Sequence, residues 1–392
     1  MSPPDPVALM GELVAIDSSN PGVGEAAIAS FIHDLAREWG FESQLVETAP
    51  GRANVIARID AGGPRSLGLS GHLDTKPVGD SSGEWRTPPW ELVIDGDLAY
   101  GLGTSDMKGA IAAMLVAARA WAGSAPQGRL DLLLTADEEA GSQLGAKELV
   151  RRGLVDVDAI VVGEPSGIVE PWEAIFLVSR GISCFEIELR GRQGHSGISD
   201  RLPTSATVAA AHALLAVDAL HPRHPAIQQV AAEPTVNAGV RIAGGVFFGV
   251  HPGRATVECE VRLVPGMERD ELAADVEAAL RAALPADVSW DVRFRDDELG
   301  WSPAVAIDAA HPLVAAAADA TERVLGRRPP LACYPGGSDA TAFSVGAGIP
   351  GLASLGPGWL SVAHGPNEHV GVSQVRDATE IYRRIAAGYL ER

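Results

Sequence analysis

RLDLLLTADEE, residues 129–139, decides how this chain is read. Four leucines within five positions, Leu130 to Leu134, make an apolar run of strand length, and the run stops at two adjacent glutamates, Glu138 and Glu139. The same grammar recurs on either side. SLGLSGHLD (66–74) is a strand reaching His72 and Asp74, and DAIVVGEPS (158–166) is a strand reaching Glu164. Helical patterns lie between them, at 107–121 and in the short AKELVRRGL (146–154). Strand–helix–strand rhythm predicts an α/β core with a largely parallel sheet. In such sheets ligand groups collect beyond the carboxyl ends of the strands, where these acids and this histidine fall.

Outward from that core the pattern changes twice. From about 180 to 293 the strands alternate: SCFEIELRG, TVNAGVRIAGG and ATVECEVRLVPG each read as half-exposed antiparallel strands. An Ala-rich helix at 203–219 and the amphipathic ERDELAADVEAALRAAL separate them. The α/β pattern resumes near Ser302, with a helix at 311–325, the GGSDATAF turn and helix, a strand at 349–355 and a helix from Ser373 onward. The expectation is an α+β domain, 180–293, inserted into an α/β domain formed by 1–179 and 294–392.

With 392 residues, two domains are the default. Apolar residues at 46% against charged residues at 21% predict a folded chain. The formal charge of −20, from 51 acidic and 31 basic residues, argues against nucleic acid as partner, since phosphate binding wants a basic face. Three cysteines without a CxxC pair are no disulfide framework; Cys184 and Cys259 are expected as buried apolar residues in a reducing compartment. No signal-peptide pattern and no apolar stretch of membrane length are evident, so a cytoplasmic location is expected.

Carboxylate and imidazole suit zinc and related divalent ions. His72 and Asp74 share a strand face by spacing, so one can touch metal while the other orients it. Asp106 in GLGTSDMKG heads a predicted helix, and its two oxygens could bridge two ions. Glu138 and Glu139 cannot point the same way, which implies a division of labour between metal ligand and base. Glu164 and His364, in AHGPNEH, complete the two ends. Singly, each has an ordinary reading as a turn or solvated-loop residue. Their shared position after an apolar strand or before a helix points to a metal-dependent hydrolase.

These motifs, SGHLDTKP, GLGTSDMKG, TADEEAG, GEPS and AHGPNEH, resemble those of the M20 family of metallopeptidases and amidohydrolases over essentially the full length. The family includes acetylornithine deacetylase, succinyl-diaminopimelate desuccinylase, aminoacylase-1 and carboxypeptidase G enzymes. The resemblance implies a zinc-peptidase α/β/α domain with an inserted ferredoxin-like lid that also forms a homodimer. It implies two divalent ions, zinc first, with cobalt or manganese accepting the same donors. His72 and Glu164 would hold one, His364 and Glu139 the other, with Asp106 bridging. Asp74 would sit beside His72, and Glu138 would be the general base. GRQGHSG resembles the lid motif that brings His195 to the oxyanion from the partner subunit; outside that motif His195 would read as a surface-loop histidine. Asn237 resembles a lid asparagine that meets substrate, and GGSDATAF, with Gly337 and Ser338, resembles the loop lining the substrate pocket. Where several relatives carry an arginine for the substrate carboxylate, this chain has Thr341, and Arg254 is a substitute. Where relatives often read Asn-Val-Val-Pro, this chain has Gly249-Val250-His251-Pro252.

Within the family, Gly356–Glu368 looks most like acetylornithine deacetylase, while the desuccinylase signature in the pocket loop is poorly matched. The expected substrate is a small N-acyl amino acid; a carboxypeptidase G-like or dipeptidase activity on a dipeptide-like substrate is the alternative. A non-catalytic metal-binding module is the alternative from another class, and Glu138 speaks against it, because a structural metal site needs no base.

Overall fold

The computed structural model describes residues 4–227 and 230–391. Positions 1–3 and 392, included in the expected domain boundaries, lie outside the described residues. Two compact units emerge: Met1–Ser179 with Ala306–Tyr334 and Ser338–Arg392, and Arg180–Val305 with Pro335–Gly337. The second unit therefore runs past 293. Ile182 and Ser302 exchange backbone hydrogen bonds of 2.9 Å each, and the Arg295 N–H donates to the Cys184 carbonyl at 3.1 Å, which binds 295–302 to the inserted sheet.

The first unit is built on a six-stranded sheet in the order Glu42–Ala49, Arg52–Asp60, Arg129–Thr135, Ser66–His72, Ala159–Val162, Gly351–Leu352. The last four run parallel to one another. The first two form an antiparallel hairpin, and the second of them also pairs antiparallel with Arg129–Thr135. Leu133, Ile56 and Ile160 pack with Leu149 and Phe343 from the helices Ala146–Arg151 and Ala340–Ala347. The opposite face carries helix Gly109–Ala122, which is buried nearly all round and packs between the sheet and helices Pro6–Val14 and Val372–Leu390. That explains its composition: a helix wrapped on all sides by protein has no polar face to keep. Each fully buried Leu or Met contributes about 1.5–3 kcal/mol. Gly163 lies under this helix, where a Cβ would be 2.4 Å from Met114 Cε and 2.8 Å from Met107 Cε. The close approach sets the strand end that delivers Glu164. The strand expected over 349–355 is only Gly351–Leu352. Beyond it Ser354 turns its hydroxyl onto the Glu164 carbonyl at 2.9 Å.

The second unit has strand and helix order βαββαβ: Gly181–Arg190, Ala206–Asp218, Thr235–Gly244, Arg254–Leu263, Arg269–Ala283, Ser289–Phe294. The four strands are antiparallel, with the third element's strand Thr235–Gly244 at one edge and Ser289–Phe294 at the other. This is the ferredoxin-like arrangement. Phe185, Ile187 and Leu189 meet Val257, Cys259 and Val261 under the two helices. Alternation puts Cys184 on the other face, where it is only half-buried, against the expectation of a buried thiol; Cys259 is buried as expected. No helix among the described residues is long and apolar enough to cross a membrane.

Candidate metal centre

Strand Ser66–His72 pairs with Arg129–Thr135 so that His72 stands opposite Thr135. The Leu73 N–H continues the zipper to the Thr135 carbonyl at 2.7 Å, so the chains leaving both strands stay side by side. His72 is buried. Its Nδ1 is 2.9 Å from the Asp74 carbonyl oxygen, an acceptor only, so Nδ1 carries the proton. Nε2 is thereby left facing carboxylates, 2.9 Å from Asp106 Oδ1 and 3.6 Å from Glu164 Oε1.

Asp106 lies in the turn Thr104–Lys108, with φ −129° and ψ 85°, and the helix begins only at Gly109. The expected placement at a helix N-terminus is corrected: what holds Asp106 is the buried Glu368 carboxylate, which accepts the N–H groups of Gly103 at 2.8 Å and of Ser105 and Asp106 at 2.9 Å. The second Asp106 oxygen, Oδ2, is 3.1 Å from His364 Nε2, and that same nitrogen is 3.1 Å from Glu139 Oε1. One carboxylate thus faces a different imidazole with each oxygen. Lys76 Nζ donates to the Glu139 backbone carbonyl and lies 3.3 Å from Glu139 Oε2.

The paired glutamates part at Asp137, whose φ of 64° turns the chain after strand Arg129–Thr135 into the short turn Glu138–Ala140. Glu138 then clusters with His72 and Glu164, and Glu139 with His72 and Asp106, each trio within 4.8 Å. Asp74 sits beneath this turn. Its Oδ1 accepts the Glu138 N–H at 3.2 Å and its Oδ2 the Glu139 N–H at 3.1 Å, while Oδ1 is 3.6 Å from His72 Nδ1. Its carboxylate therefore grips the glutamate turn more closely than the imidazole it was expected to adjoin.

The electrostatics call for a cation. Burial lowers and Asp106 and Glu164 raise the His72 pKa, with the net well above its usual value. The carboxylates of Asp106 and Glu139 beside His364 raise its pKa to about 10. Burial pushes both Glu138 and Glu164 well above the carboxylate range, with neighbouring acids adding to it. Burial opposes ionisation of Asp106 too, but hydrogen bonds from His364 and His72 hold it ionised. Protons are drawn to positions where bound cations would displace them. Glu139 Oε1 is buried and receives no hydrogen bond, because the 3.1 Å approach of His364 is not aligned as one. An orphaned carboxylate oxygen between imidazoles and acids fits a divalent ion, and the nitrogen and oxygen donor set suits zinc, cobalt or manganese.

Other expected site residues are not in this cluster. His195, Asn237, Arg254 and Gly337 belong to the second unit and are exposed. His195 Nδ1 accepts the Gly197 N–H at 3.0 Å. Arg254 pairs with Glu188 at 2.7 Å, an acid that also pairs with Arg190 and Arg293. Ser338, in the first unit, is buried; its N–H donates to Ser179 Oγ at 3.0 Å and its hydroxyl has no partner. Sequence reasoning missed Asn20, Glu25, Arg52, Asp137, Asp339 and Glu368, all buried except the partly covered Arg52. Glu368 stood inside the AHGPNEH motif, Asp137 inside TADEEAG and Asp339 inside GGSDATAF; Asn20, Glu25 and Arg52 carried no spacing signal.

An α/β unit that gathers imidazoles and carboxylates at its strand ends is the frame of a metal-dependent hydrolase. The family model for Peptidase family M20/M25/M40 matches residues 68–388. The chain is 30% identical over 396 residues to a succinyl-diaminopimelate desuccinylase of Paracoccus denitrificans, covering 98% of each. An M20 family metallo-carboxypeptidase from Sulfolobus solfataricus shares the fold with a TM-score of 0.78 at 19% identity, over 99% of this chain and 100% of that one. A Bacillus subtilis protein described as a dinuclear metal-binding peptidase from the M20 family gives 0.69 at 17%, over 98% of each. The chain belongs to peptidase family M20/M25/M40 and is a metal-dependent hydrolase.

Proposed function

We propose that this enzyme hydrolyses the amide bond of a small N-acyl amino acid, with the acyl group acetyl or succinyl. The observation that carries the reading is Asp106, whose two oxygens face His72 and His364 separately. That arrangement supports two divalent ions: one held by His72, Asp106 and Glu164, the other by His364, Asp106 and Glu139. Bound ions would polarise the scissile carbonyl and lower the pKa of water. Glu138, which clusters with His72 and Glu164 but is left out of both proposed ligand sets, takes the proton from the attacking water and delivers it to the leaving amine. Asp74 holds the Glu138 and Glu139 peptides, and Glu368 holds that of Asp106, so the acids meet the substrate without rearrangement. Ser338, with its unpartnered buried hydroxyl, and Gly337 beside it are substrate contacts.

His195 and Asn237 act from the second unit of a partner copy, in a homodimer formed through that unit, with His195 donating to the developing oxyanion. The edge strand Thr235–Gly244 and the exposed Val240, Ile242, Val246, Phe247 and Phe248 support a protein-covered surface there. A cytoplasmic location accords with a chain whose cysteines are not disulfide-bonded. Succinyl enters the reading through the Paracoccus relative, acetyl through the 356–368 segment.

Elemental analysis together with turnover of a panel of N-acetyl and N-succinyl amino acids and dipeptides tests the proposal. Two equivalents of a divalent metal and turnover of one acyl class are expected. Turnover of dipeptides alone would replace it with the dipeptidase reading.

A further inference from the structure

Behind the clustered imidazole and carboxylate side chains runs a buried chain of polar groups. Segment 18–20 lies beside the continuation of the His72 strand, with the Thr75 N–H on the Ser18 carbonyl at 3.2 Å and the Asn20 N–H on the Thr75 carbonyl at 2.9 Å. This seats Asn20, 3% exposed, with its amide nitrogen 2.8 Å from Asp74 Oδ2 and 3.2 Å from Asp137 Oδ1. An amide NH2 has two hydrogens, so each carboxylate receives one. Asp137 is gripped from three more directions: Arg52 Nη2 reaches Oδ1 at 2.9 Å, the Leu144 N–H reaches Oδ2 at 3.1 Å, and its own N–H donates to Glu25 Oε1 at 3.1 Å. Arg52 closes the chain on Glu25 with contacts of 2.5 and 2.6 Å.

We infer that Asn20, backed by Arg52 through Asp137 and Glu25, is a positioning residue that sets where Glu138 and Glu139 point. Both ends of the glutamate turn meet in its amide. Asp74 holds the Glu138 and Glu139 N–H groups, and Asp137 supplies the left-handed residue that separates their side chains. Glu25, Asp74 and Asp137 are three buried acids within one network. Without the Asn20 donors, Asp74 and Asp137 lose the link that holds them side by side, and the turn between them is free to shift. A shift of about 1 Å at a reacting group costs on the order of 10²-fold in rate.

The inference rests on the metal-ligand and base roles proposed above, so its test includes a readout that needs no substrate. The full chain is stripped of metal and titrated with Co(II), following the visible ligand-field bands, for the parent protein, Asn20→Ala, Arg52→Met and the double variant. Expected for Asn20→Ala are an altered band and Co(II) affinity lowered about 10–100-fold, the range for lost partners of metal ligands. On a substrate the parent turns over, kcat falls on the order of 10²-fold with KM little changed. Arg52→Met shows a smaller change in the same direction, and the double variant is no worse than Asn20→Ala, because both act through one turn. A folded Asn20→Ala with the parent's Co(II) spectrum and affinity would overturn the inference, as would additive losses in the double variant. If Asn20→Ala does not fold, Arg52→Met decides on the same spectrum. A parent that binds Co(II) but turns over no N-acyl substrate would sink the substrate proposal, and the cobalt comparison would still decide this one.

Discussion

The two main sheets of this protein treat charge in opposite ways. At the strand ends of the six-stranded sheet, His72, Asp74, Asp106 and Glu164 are buried, and most of their polar atoms are gripped by other protein groups. On the open face of the four-stranded sheet, charges form ladders at the surface: Arg241 with Glu258, Arg262 with Glu260, and three largely exposed arginines covering Glu188. The first arrangement is costly to desolvate, and the cost falls as its members find partners. The second costs little and contributes about 0–1 kcal/mol per exposed pair. Apolar groups differ too. Exposed apolar side chains are scattered over the first unit, whereas in the second Phe247 and Phe248, 76% and 92% exposed, stand together next to an edge strand.

The largest effect expected is at the buried side. Glu138→Ala should cut kcat by about 10²–10⁴-fold, the range for a lost acid–base group, while metal content by elemental analysis stays near that of the parent. Glu139→Ala should instead lose metal; equal metal loss in the two variants would erase the division of labour between adjacent glutamates. Next comes His195, on the exposed side. His195→Ala should cost about 10²–10³-fold in kcat, as for a lost oxyanion donor. Mixing it with Glu138→Ala subunits should restore activity if His195 serves the partner's site, and proven subunit exchange without recovery would rule that out.

The smaller effects compare the two cores with the two surfaces. Leu132→Ala, at a fully buried position of the central strand, should lower stability by about 2–5 kcal/mol in denaturant titration. Phe248→Ser should move stability within about 0.5 kcal/mol yet raise the dimer dissociation constant in sedimentation, and an unchanged constant would show that this loop lies outside any interface.

How much was legible in the chain differs by element. The Arg129–Thr135, Ser66–His72 and Ala159–Val162 strands were readable because each is a short apolar run that ends abruptly at an acid or histidine. The inserted unit was readable from its alternation, and so was its helix pair. Its far boundary was not, because residues 295–305 carry no periodicity and belong there only through pairing with residues 182–184. Asp106 was found through its motif but not its support, since Glu368 reaches it across more than 260 positions. The ion pair of Arg254 was not legible, because Glu188 reaches it diagonally from the neighbouring strand, two positions from the residue that faces it.

Local pattern by itself determined the two-unit organisation, the strands that end in an acid or a histidine and the candidate ligand types, because periodicity and side-chain chemistry are properties of short segments. Only the tertiary structure decided which oxygen faces which imidazole, that Glu138 and Glu139 part at Asp137, and that Asn20 lies beneath them. Those are distances between residues remote in the chain, set by strand register and by the need of every buried polar group for a partner, and no segment carries that information alone.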